Sequence, residues 1–345
     1  MRILVGILSG LLATGLVRSS MADERPEPGD HALTVVSRAD GSAQPYRLFV
    51  PRTAREGKPM PLLVVLHGKG VDHNAWFDLT PVKDVADRYG YVVAAPNGRG
   101  DRYYDGPGEQ DVLDVIDDVA RRCAVDADRV YLTGHSMGGW GTWYLGLRHP
   151  DRFAAIAPMA GLAPPPERLP NARHLAPFII HDTDDDVVPV KESRGPAGRL
   201  AELGISFQYR EESGFGHRSA LIGANLPRLL EWFNAQSRVR RPNRVTLVAA
   251  AGDPSRAYWI SAMKPAAEKA PGSVDARLDA NGRLNVHVDS VRQLEINLDA
   301  LPTDAQPTVE IVVNGRSVTR ADRRGSVVLQ SADGVSWQCA TTPGG

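Results

Sequence analysis

The sequence predicts an α/β fold on a mostly parallel sheet, followed by a smaller all-β region. Between about residues 45 and 236, short runs of Val, Ile and Leu alternate with helical patterns, and this alternation indicates βαβ units. Residues 62–66 are apolar throughout, which is typical of a strand that helices cover on both faces. Beyond residue 242, Asn-Gly and Asp-Gly pairs separate the strand patterns and favour antiparallel hairpins.

The predicted elements divide the chain into two units. The first, residues 23–238, has predicted strands at 46–50, 62–66, 91–95, 129–133, 153–158, 177–181 and 205–210, and helices near 81–89, 109–123, 137–148, 191–203 and 219–236. The second, residues 243–345, is expected to form a small β-sandwich from strands at 244–248, 273–278, 283–288, 293–298, 308–313 and 326–329. Ligands of parallel α/β sheets bind beyond the carboxyl ends of the strands, so the functional site is expected in the loops there.

Charge and composition exclude some classes of partner. The chain has 345 residues, with 40 Lys and Arg against 41 Asp and Glu, which gives a formal net charge of -1. A balance so close to neutral gives no electrostatic footprint for nucleic acid or for an anionic membrane. We therefore expect a small or neutral substrate and no nucleic-acid partner.

The first residues predict export. Arg2 precedes an apolar run over residues 3–17, and the small-x-small site Ser20-Met21-Ala22 follows it. This order is typical of a secretory signal peptide, residues 1–22, and the run is shorter than the ~20 residues of a membrane span. We expect a secreted or periplasmic protein that leaves the membrane after cleavage. Whether Cys123 and Cys339 form a disulfide stays an open question, since two distant cysteines are weak evidence for pairing.

One segment carries a nucleophile pattern. The predicted strand at 129–133 leads directly into Gly134-His135-Ser136-Met137-Gly138, and a predicted helix follows. A strand, a sharp turn and a helix around Gly-x-Ser-x-Gly form the nucleophile elbow of α/β hydrolases, whereas a serine helix cap is the simpler alternative. The elbow makes Ser136 the candidate nucleophile, and the N–H of Met137 the first donor of an oxyanion hole.

A serine nucleophile needs a base and an acid, which follow it in the order acid, then His. The histidines after Ser136 are His149, His174, His181, His217 and His287. His217 lies in a glycine-rich loop between the last predicted strand and the last predicted helix of the first unit. Because a loop can bring a side chain to the nucleophile, His217 is the expected base.

The acid is expected in the loop after the strand at 177–181. Spacing alone does not choose among four candidates: Asp182, Asp184, Asp185 and Asp186. The same cluster resembles half of a calcium loop, but Val187 and Ser193 replace the required Gly and Glu. We therefore expect no metal.

The segment Leu66-His67-Gly68-Lys69-Gly70 follows the first buried strand, where the second oxyanion donor of this fold arises. We assign that donor to the N–H of Lys69, with Gly68 allowing the backbone to approach the substrate. A phosphate-binding loop would need Ser or Thr after the lysine, and Gly70 excludes it.

Six segments in combination resemble a known family: 66–68, 96–100, 126–131, 134–139, 149–153 and 157–158. The chain is similar over about residues 45–236 to secreted bacterial esterases, namely prolyl-oligopeptidase-like, feruloyl-esterase and polyhydroxybutyrate-depolymerase-like α/β hydrolases. In such enzymes the acid lies in a His-Gly-x-x-Asp-x-x-Val-Pro segment. Matching it to residues 181–189 implies that Asp185 is the acid, although Asp182 stands where Gly is usual.

The expected activity is hydrolysis of carboxylic esters without a cofactor, on small or polysaccharide-linked esters such as acetyl or feruloyl groups of plant polysaccharide. Candidate substrate contacts are Gly68, Trp76, Tyr103, Tyr104 and Trp140. The tyrosines lie in a loop at the expected cleft, whereas aromatic residues at helical spacing belong more often to a core. A serine peptidase and a non-catalytic binding protein with the same fold are the alternatives.

Overall fold

The computed structural model describes residues 25–54, 58–267, 270–302 and 306–340. The predicted signal peptide, residues 1–22, lies outside the described residues.

The first unit is built on an eight-stranded sheet with the strand order β1-β2-β4-β3-β5-β6-β7-β8. Its strands are β1 (Gly29–Val36), β2 (Ala43–Val50), β3 (Met60–Leu66), β4 (Val92–Pro96), β5 (Val125–His135), β6 (Ala155–Met159), β7 (Phe178–Asp182) and β8 (Gln208–Glu212). The β1–β2 and β2–β4 pairs are antiparallel, and the remaining pairs are parallel. The predicted mostly parallel α/β sheet is confirmed.

Helices cover both faces of this sheet. They are α1 (Ala75–Leu79), α2 (Val82–Tyr89), α3 (Pro107–Arg122), α4 (Met137–Arg148), α5 (Lys191–Glu202) and α6 (Ala220–Asn234). Residues of β3 alternate between the two cores: Leu62 and Val64 pack with α3, α4 and α5, whereas Leu63 and Val65 pack with α1, α2 and α6. Because both faces of β3 are buried, its sequence is apolar at every position.

The described residues between 244 and 340 form two further sheets. One has the order β15-β14-β12-β11-β9 and the other β10-β13-β16-β17. The strands are β9 (Arg244–Ala249), β10 (Ile260–Pro265), β11 (Gly272–Leu278), β12 (Arg283–Asp289), β13 (Val291–Asn297), β14 (Thr308–Val313), β15 (Arg316–Asp322), β16 (Ser326–Gln330) and β17 (Gln338–Ala340). Side chains from both sheets share one apolar core, as in a β-sandwich.

The β-sandwich packs on the first unit through a 3₁₀ helix, Pro166–His174, and the end of α4. Asn171 is buried there, and its amide donates to the carbonyls of Leu147 at 2.8 Å and Val248 at 3.0 Å. Its amide oxygen accepts the N–H of Val248 at 2.7 Å. These bonds satisfy a buried polar side chain and fix β9 against the first unit.

The two cysteines are free thiols. Cys123 is buried and Cys339 is exposed, so the disulfide that the sequence left open is not formed. Burial raises the pKa of the Cys123 thiol to about 11, which makes it unreactive at neutral pH.

Candidate active site

Ser136 stands at the turn between β5 and α4 with φ 62° and ψ -120°, a strained conformation for a residue with a side chain. Two glycines make the turn possible. A Cβ on Gly134 would lie 2.3 Å from the carbonyl oxygen of Gly138, and a Cβ on Gly138 would lie 2.1 Å from that of Leu66. The sequence pattern therefore reflects backbone packing, and the turn holds the Ser136 hydroxyl above the sheet edge.

A continuous hydrogen-bond chain joins three side chains that are distant in sequence. Nε2 of His217 lies 2.7 Å from Oγ of Ser136, and Nδ1 of His217 lies 2.7 Å from Oδ2 of Asp185. With Nδ1–H donating to the carboxylate, Nε2 is left to accept the serine hydroxyl. The arrangement can take a proton from Ser136 while the acid orients the imidazole.

The environment of Asp185 favours its ionised form. Burial alone would raise its pKa, but the hydrogen bond from His217 and those from the N–H groups of Val188 and Val187 outweigh burial. The two backbone bonds end on Oδ1 at 2.8 and 2.9 Å. The pKa of Asp185 therefore lies below its usual value, and the carboxylate stays charged beside His217.

Two neighbouring aspartates hold the loop that carries His217. Asp182 is fully buried and accepts the N–H of Phe215 at 2.9 Å and that of Asp184 at 2.8 Å. Asp184 in turn accepts the N–H of Gly214 at 2.7 Å. From the sequence these residues are only competing candidates for the acid, because spacing shows neither their contacts nor the path of the loop.

His135, immediately before Ser136, was not predicted as a site residue. It is 9% exposed, and its ring centre lies 4.8 Å from that of His217. Burial, with a smaller contribution from the charge of His217, lowers the pKa of His135 to about 4. Its Nε2 is buried and has no hydrogen-bond partner among the described residues. A neutral imidazole therefore packs against the candidate base.

The remaining histidines considered as bases lie elsewhere. His149 contacts Glu109 at 2.6 Å, and His174 donates from Nε2 to the carbonyl of Arg244 at 2.8 Å. His287 lies on β12 of the sandwich. His181 is buried beneath the acid loop, where Nε2 donates to the carbonyl of Val188 at 2.8 Å and lies 3.4 Å from Oδ2 of Asp185.

A cavity of about 190 Å³ opens at Ser136 and His217. Gly68 and Lys69 lie on its wall, and a Cβ on Gly68 would be 3.6 Å from Cβ of Ser136. Trp76 lies on the wall as well, with its indole N–H donating to the carbonyl of Leu66 at 2.8 Å. Further apolar lining comes from Val71, Ala75, Leu79 and Ile222. The cavity can hold an apolar group next to the hydroxyl of Ser136.

The placement of the other predicted substrate contacts differs from expectation. Tyr104 is fully buried, and its hydroxyl donates to the carbonyl of His67 at 3.0 Å, so the side chain supports the loop from beneath and cannot reach a substrate. Tyr103 is 37% exposed and Trp140 stacks on Tyr144 at 6.3 Å between ring centres. In the described structure neither Tyr103 nor Trp140 lines the cavity.

Over the described residues, no cluster of three or more His, Cys, Asp or Glu side chains has the arrangement of a metal site. In the same part of the chain, no helix has the length and apolarity needed to cross a bilayer.

Comparison with known proteins agrees with this fold. Residues 61–211 match the family model of the alpha/beta hydrolase fold. The bifunctional acetylxylan esterase/xylanase XynS20E of Neocallimastix patriciarum is 32% identical over 163 residues, which are 46% of this chain and 24% of that protein. Feruloyl esterase B of Talaromyces stipitatus is 26% identical over 134 residues, 35% of this chain and 37% of that protein. The chain thus spans about a quarter of the length of the first relative and a little more than a third of the length of the second.

Among solved structures, a thermostable esterase superimposes with a TM-score of 0.52 and 29% sequence identity, covering 61% of this chain and 63% of the other. The sheet order, the elbow at Ser136, the family match and these similarities agree with one another. Residues 61–211 therefore have the alpha/beta hydrolase fold, and esterases are among the proteins to which the chain is similar.

Proposed function

We propose that this chain is a serine esterase, with Ser136 as nucleophile, His217 as general base and Asp185 as the acid that orients the base. One observation carries the proposal: the unbroken hydrogen-bond chain from Oγ of Ser136 through both ring nitrogens of His217 to Oδ2 of Asp185. A base within hydrogen-bond reach of a nucleophile, itself held by a carboxylate, is the arrangement that activates a serine hydroxyl.

In the proposed acylation step, Oγ of Ser136 attacks the ester carbonyl carbon while its proton passes to Nε2 of His217. The tetrahedral intermediate collapses, the bond to the alcohol oxygen breaks, and His217 returns the proton to that oxygen. Water then attacks the acyl-enzyme while His217 again takes a proton. The carboxylic acid product leaves as Ser136 regains its hydrogen from His217. Asp185, kept ionised by its hydrogen bonds, stabilises the imidazolium in both steps.

We assign the oxyanion hole to the N–H groups of Met137 and Lys69. Met137 is the first residue of α4, and the first N–H groups of a helix have no acceptor within the helix. Lys69 lies on the cavity wall across from Ser136, in the loop after β3. Donors aimed at a developing oxyanion are worth about 3–4 kcal/mol each to the transition state.

For the substrate, we propose an acetyl or feruloyl ester linked to plant polysaccharide, met outside the cytoplasm after removal of residues 1–22. Support comes from the names of two relatives, an acetylxylan esterase and a feruloyl esterase. The apolar cavity beside Ser136, walled by Trp76, suits the acyl side of such an ester.

The test is turnover of a chromogenic acetate ester by the full chain and by Ser136→Ala, with Ser317→Ala, an exposed serine of β15, as the matched control. We expect Ser136→Ala to lose turnover to the background rate, to keep the melting temperature, and to escape labelling by a fluorophosphonate. Ser317→Ala should behave like the native chain. Retained turnover in Ser136→Ala would contradict the proposal, and faster cleavage of a matched amide would point to a peptidase.

A further inference from the structure

The outer face of the five-stranded sheet carries a groove of about 350 Å³, in a part of the chain with no role in the proposed ester chemistry. Two neighbouring cross-strand rows form its floor. In one row Arg244 of β9 lies opposite Arg277 of β11, which lies opposite Asn285 of β12. In the next row Asp275 of β11 lies opposite His287 of β12. The groove therefore presents charged and polar side chains from three adjacent strands on a rigid sheet.

The charges of the groove do not balance. Arg244 donates from Nε and Nη2 to the two carboxylate oxygens of Asp275 at 2.8 and 2.5 Å, which neutralises that pair. Arg277 is exposed and has no ion pair or side-chain hydrogen bond among the described residues. Like charges that face each other directly across an antiparallel pair are destabilising. The Arg244–Arg277 pair is thus left with one uncompensated positive charge.

A third arginine adds to this excess. Arg173, in the 3₁₀ helix that packs on β9, has a buried Nε with no hydrogen-bond partner in the described part of the chain. Burial, followed by the charge of Arg244, lowers the pKa of Arg173, while the charge of Asp275 opposes that change. The charges of Arg244 and Arg173 therefore both act on Asp275, and Arg277 lies in the same groove without an ion pair among the described residues.

We propose that this groove is a binding site for a carboxylate-bearing saccharide, such as a uronic-acid unit of a polysaccharide. The free guanidinium of Arg277 offers the planar fork that binds a carboxylate by two parallel hydrogen bonds. Asn285 and His287, both exposed, can contact sugar hydroxyls, and Asp275 can accept from them. With Asp275 neutralised by Arg244, one positive charge is left in the groove, and it matches the single negative charge of a uronic-acid carboxylate.

The chain offers a matched control for the test. Arg283 lies on the same face of β12, one row further along, but it is paired with Glu310 at 3.2 Å. Removing Arg283 deletes the same number of charges from the same sheet without touching the groove. Arg277→Lys keeps the charge of Arg277 and loses only the fork.

The experiment is titration calorimetry of the full chain with a three-unit oligogalacturonate, in low and in moderate salt. We expect binding that weakens at least tenfold in Arg277→Ala, less in Arg277→Lys, and not in Arg283→Ala, with affinity falling as salt rises. A neutral xylo-oligosaccharide should not bind. The proposal is overturned if the oligogalacturonate does not bind, or if Arg277→Ala and Arg283→Ala lose affinity equally. It is also overturned if the neutral sugar or duplex DNA binds as tightly as the oligogalacturonate. Circular dichroism of each variant checks folding.

Discussion

The imidazole rings of His135 and His217 lie 4.8 Å apart, with their planes inclined by 42°. The contact places a buried neutral histidine directly beside the candidate base, on the strand that ends at the nucleophile. Charged or ionisable groups that act on His135 are His217, Asp185 and His181. A proton on His135 would therefore repel the imidazolium that forms on His217 during the proposed reaction.

His135 makes the stability of the fold depend on pH. Its pKa is about 4 in the folded chain against 6.5 for an ordinary histidine. Between these values the unfolded chain binds a proton at His135 and the folded chain does not, so the free energy of unfolding falls by about 3 kcal/mol as pH falls. In His135→Phe, which keeps a ring at this position, this part of the fall should disappear. Urea unfolding of both proteins at pH 7 and pH 4.5 measures the change in the free energy of unfolding. An equal change in the two proteins would contradict this role of His135.

The choice of acid predicts different effects for two adjacent aspartates. Asp185→Asn removes the charge that holds His217 and stabilises its protonated form, so kcat for a chromogenic ester should fall by about 10³–10⁴. Asp186→Asn, at an exposed position without such a contact, should change kcat less than twofold. The measurement is steady-state kinetics at neutral pH. A large loss in the Asp186 variant with little loss in the Asp185 variant would contradict the assignment.

Asp182 is expected to act on the reaction through the loop that carries His217. Asp182→Asn keeps the size of the side chain but replaces one acceptor of the bonds from Phe215 and Asp184 with a donor. Losing one charge-assisted bond, worth about 1.5 kcal/mol, should let the loop shift and move His217 away from Ser136. An equal rise in the activation barrier would lower kcat about tenfold. KM for a small acetate ester should change little, because Asp182 does not line the cavity. An unchanged kcat would show that Asp182 does not position His217.

The elbow glycines make a prediction about stability with a control inside the same chain. In Gly138→Ala the new methyl would lie 2.1 Å from the carbonyl oxygen of Leu66, so unfolding should become easier by several kcal/mol, or the chain should fail to fold. Gly198 in α5 has open space around it, and Gly198→Ala should stabilise by up to about 1 kcal/mol. Thermal melts of both variants test this. Equal melting temperatures would contradict the packing described for Gly138.

The sequence predicted the central strands well because a strand that is buried on both faces is a short, continuous run of apolar residues. It did not predict β1, β10, β15 or β17, and these strands lie at sheet edges. In β15 most positions are exposed or half-buried, so the ladder of hydrogen bonds, and not apolar periodicity, defines the strand. The five-residue helix α1 is too short for a helical period to appear.

The same distinction applies to the site. The turn at Ser136 was predictable because it imposes glycines at fixed positions in sequence. Asp185 could be chosen only from a family resemblance, since its 2.7 Å contact with His217 joins two loops that are 32 residues apart. Tyr104 was misplaced because a sequence does not tell on which side of a loop a side chain points. The role of Asp182 was hidden for the same reason, as its partners are backbone N–H groups.

Covalent catalysis by Ser136 can be detected by stopping the reaction with a chromogenic acetate ester in acid within the first turnover. Peptide mass spectrometry then locates any acetyl group. We expect one acetyl group on the peptide that contains Ser136, and none in His217→Ala. An acetyl group on another residue would contradict covalent catalysis by Ser136. So would turnover without an acylated Ser136 under conditions in which deacylation limits the rate.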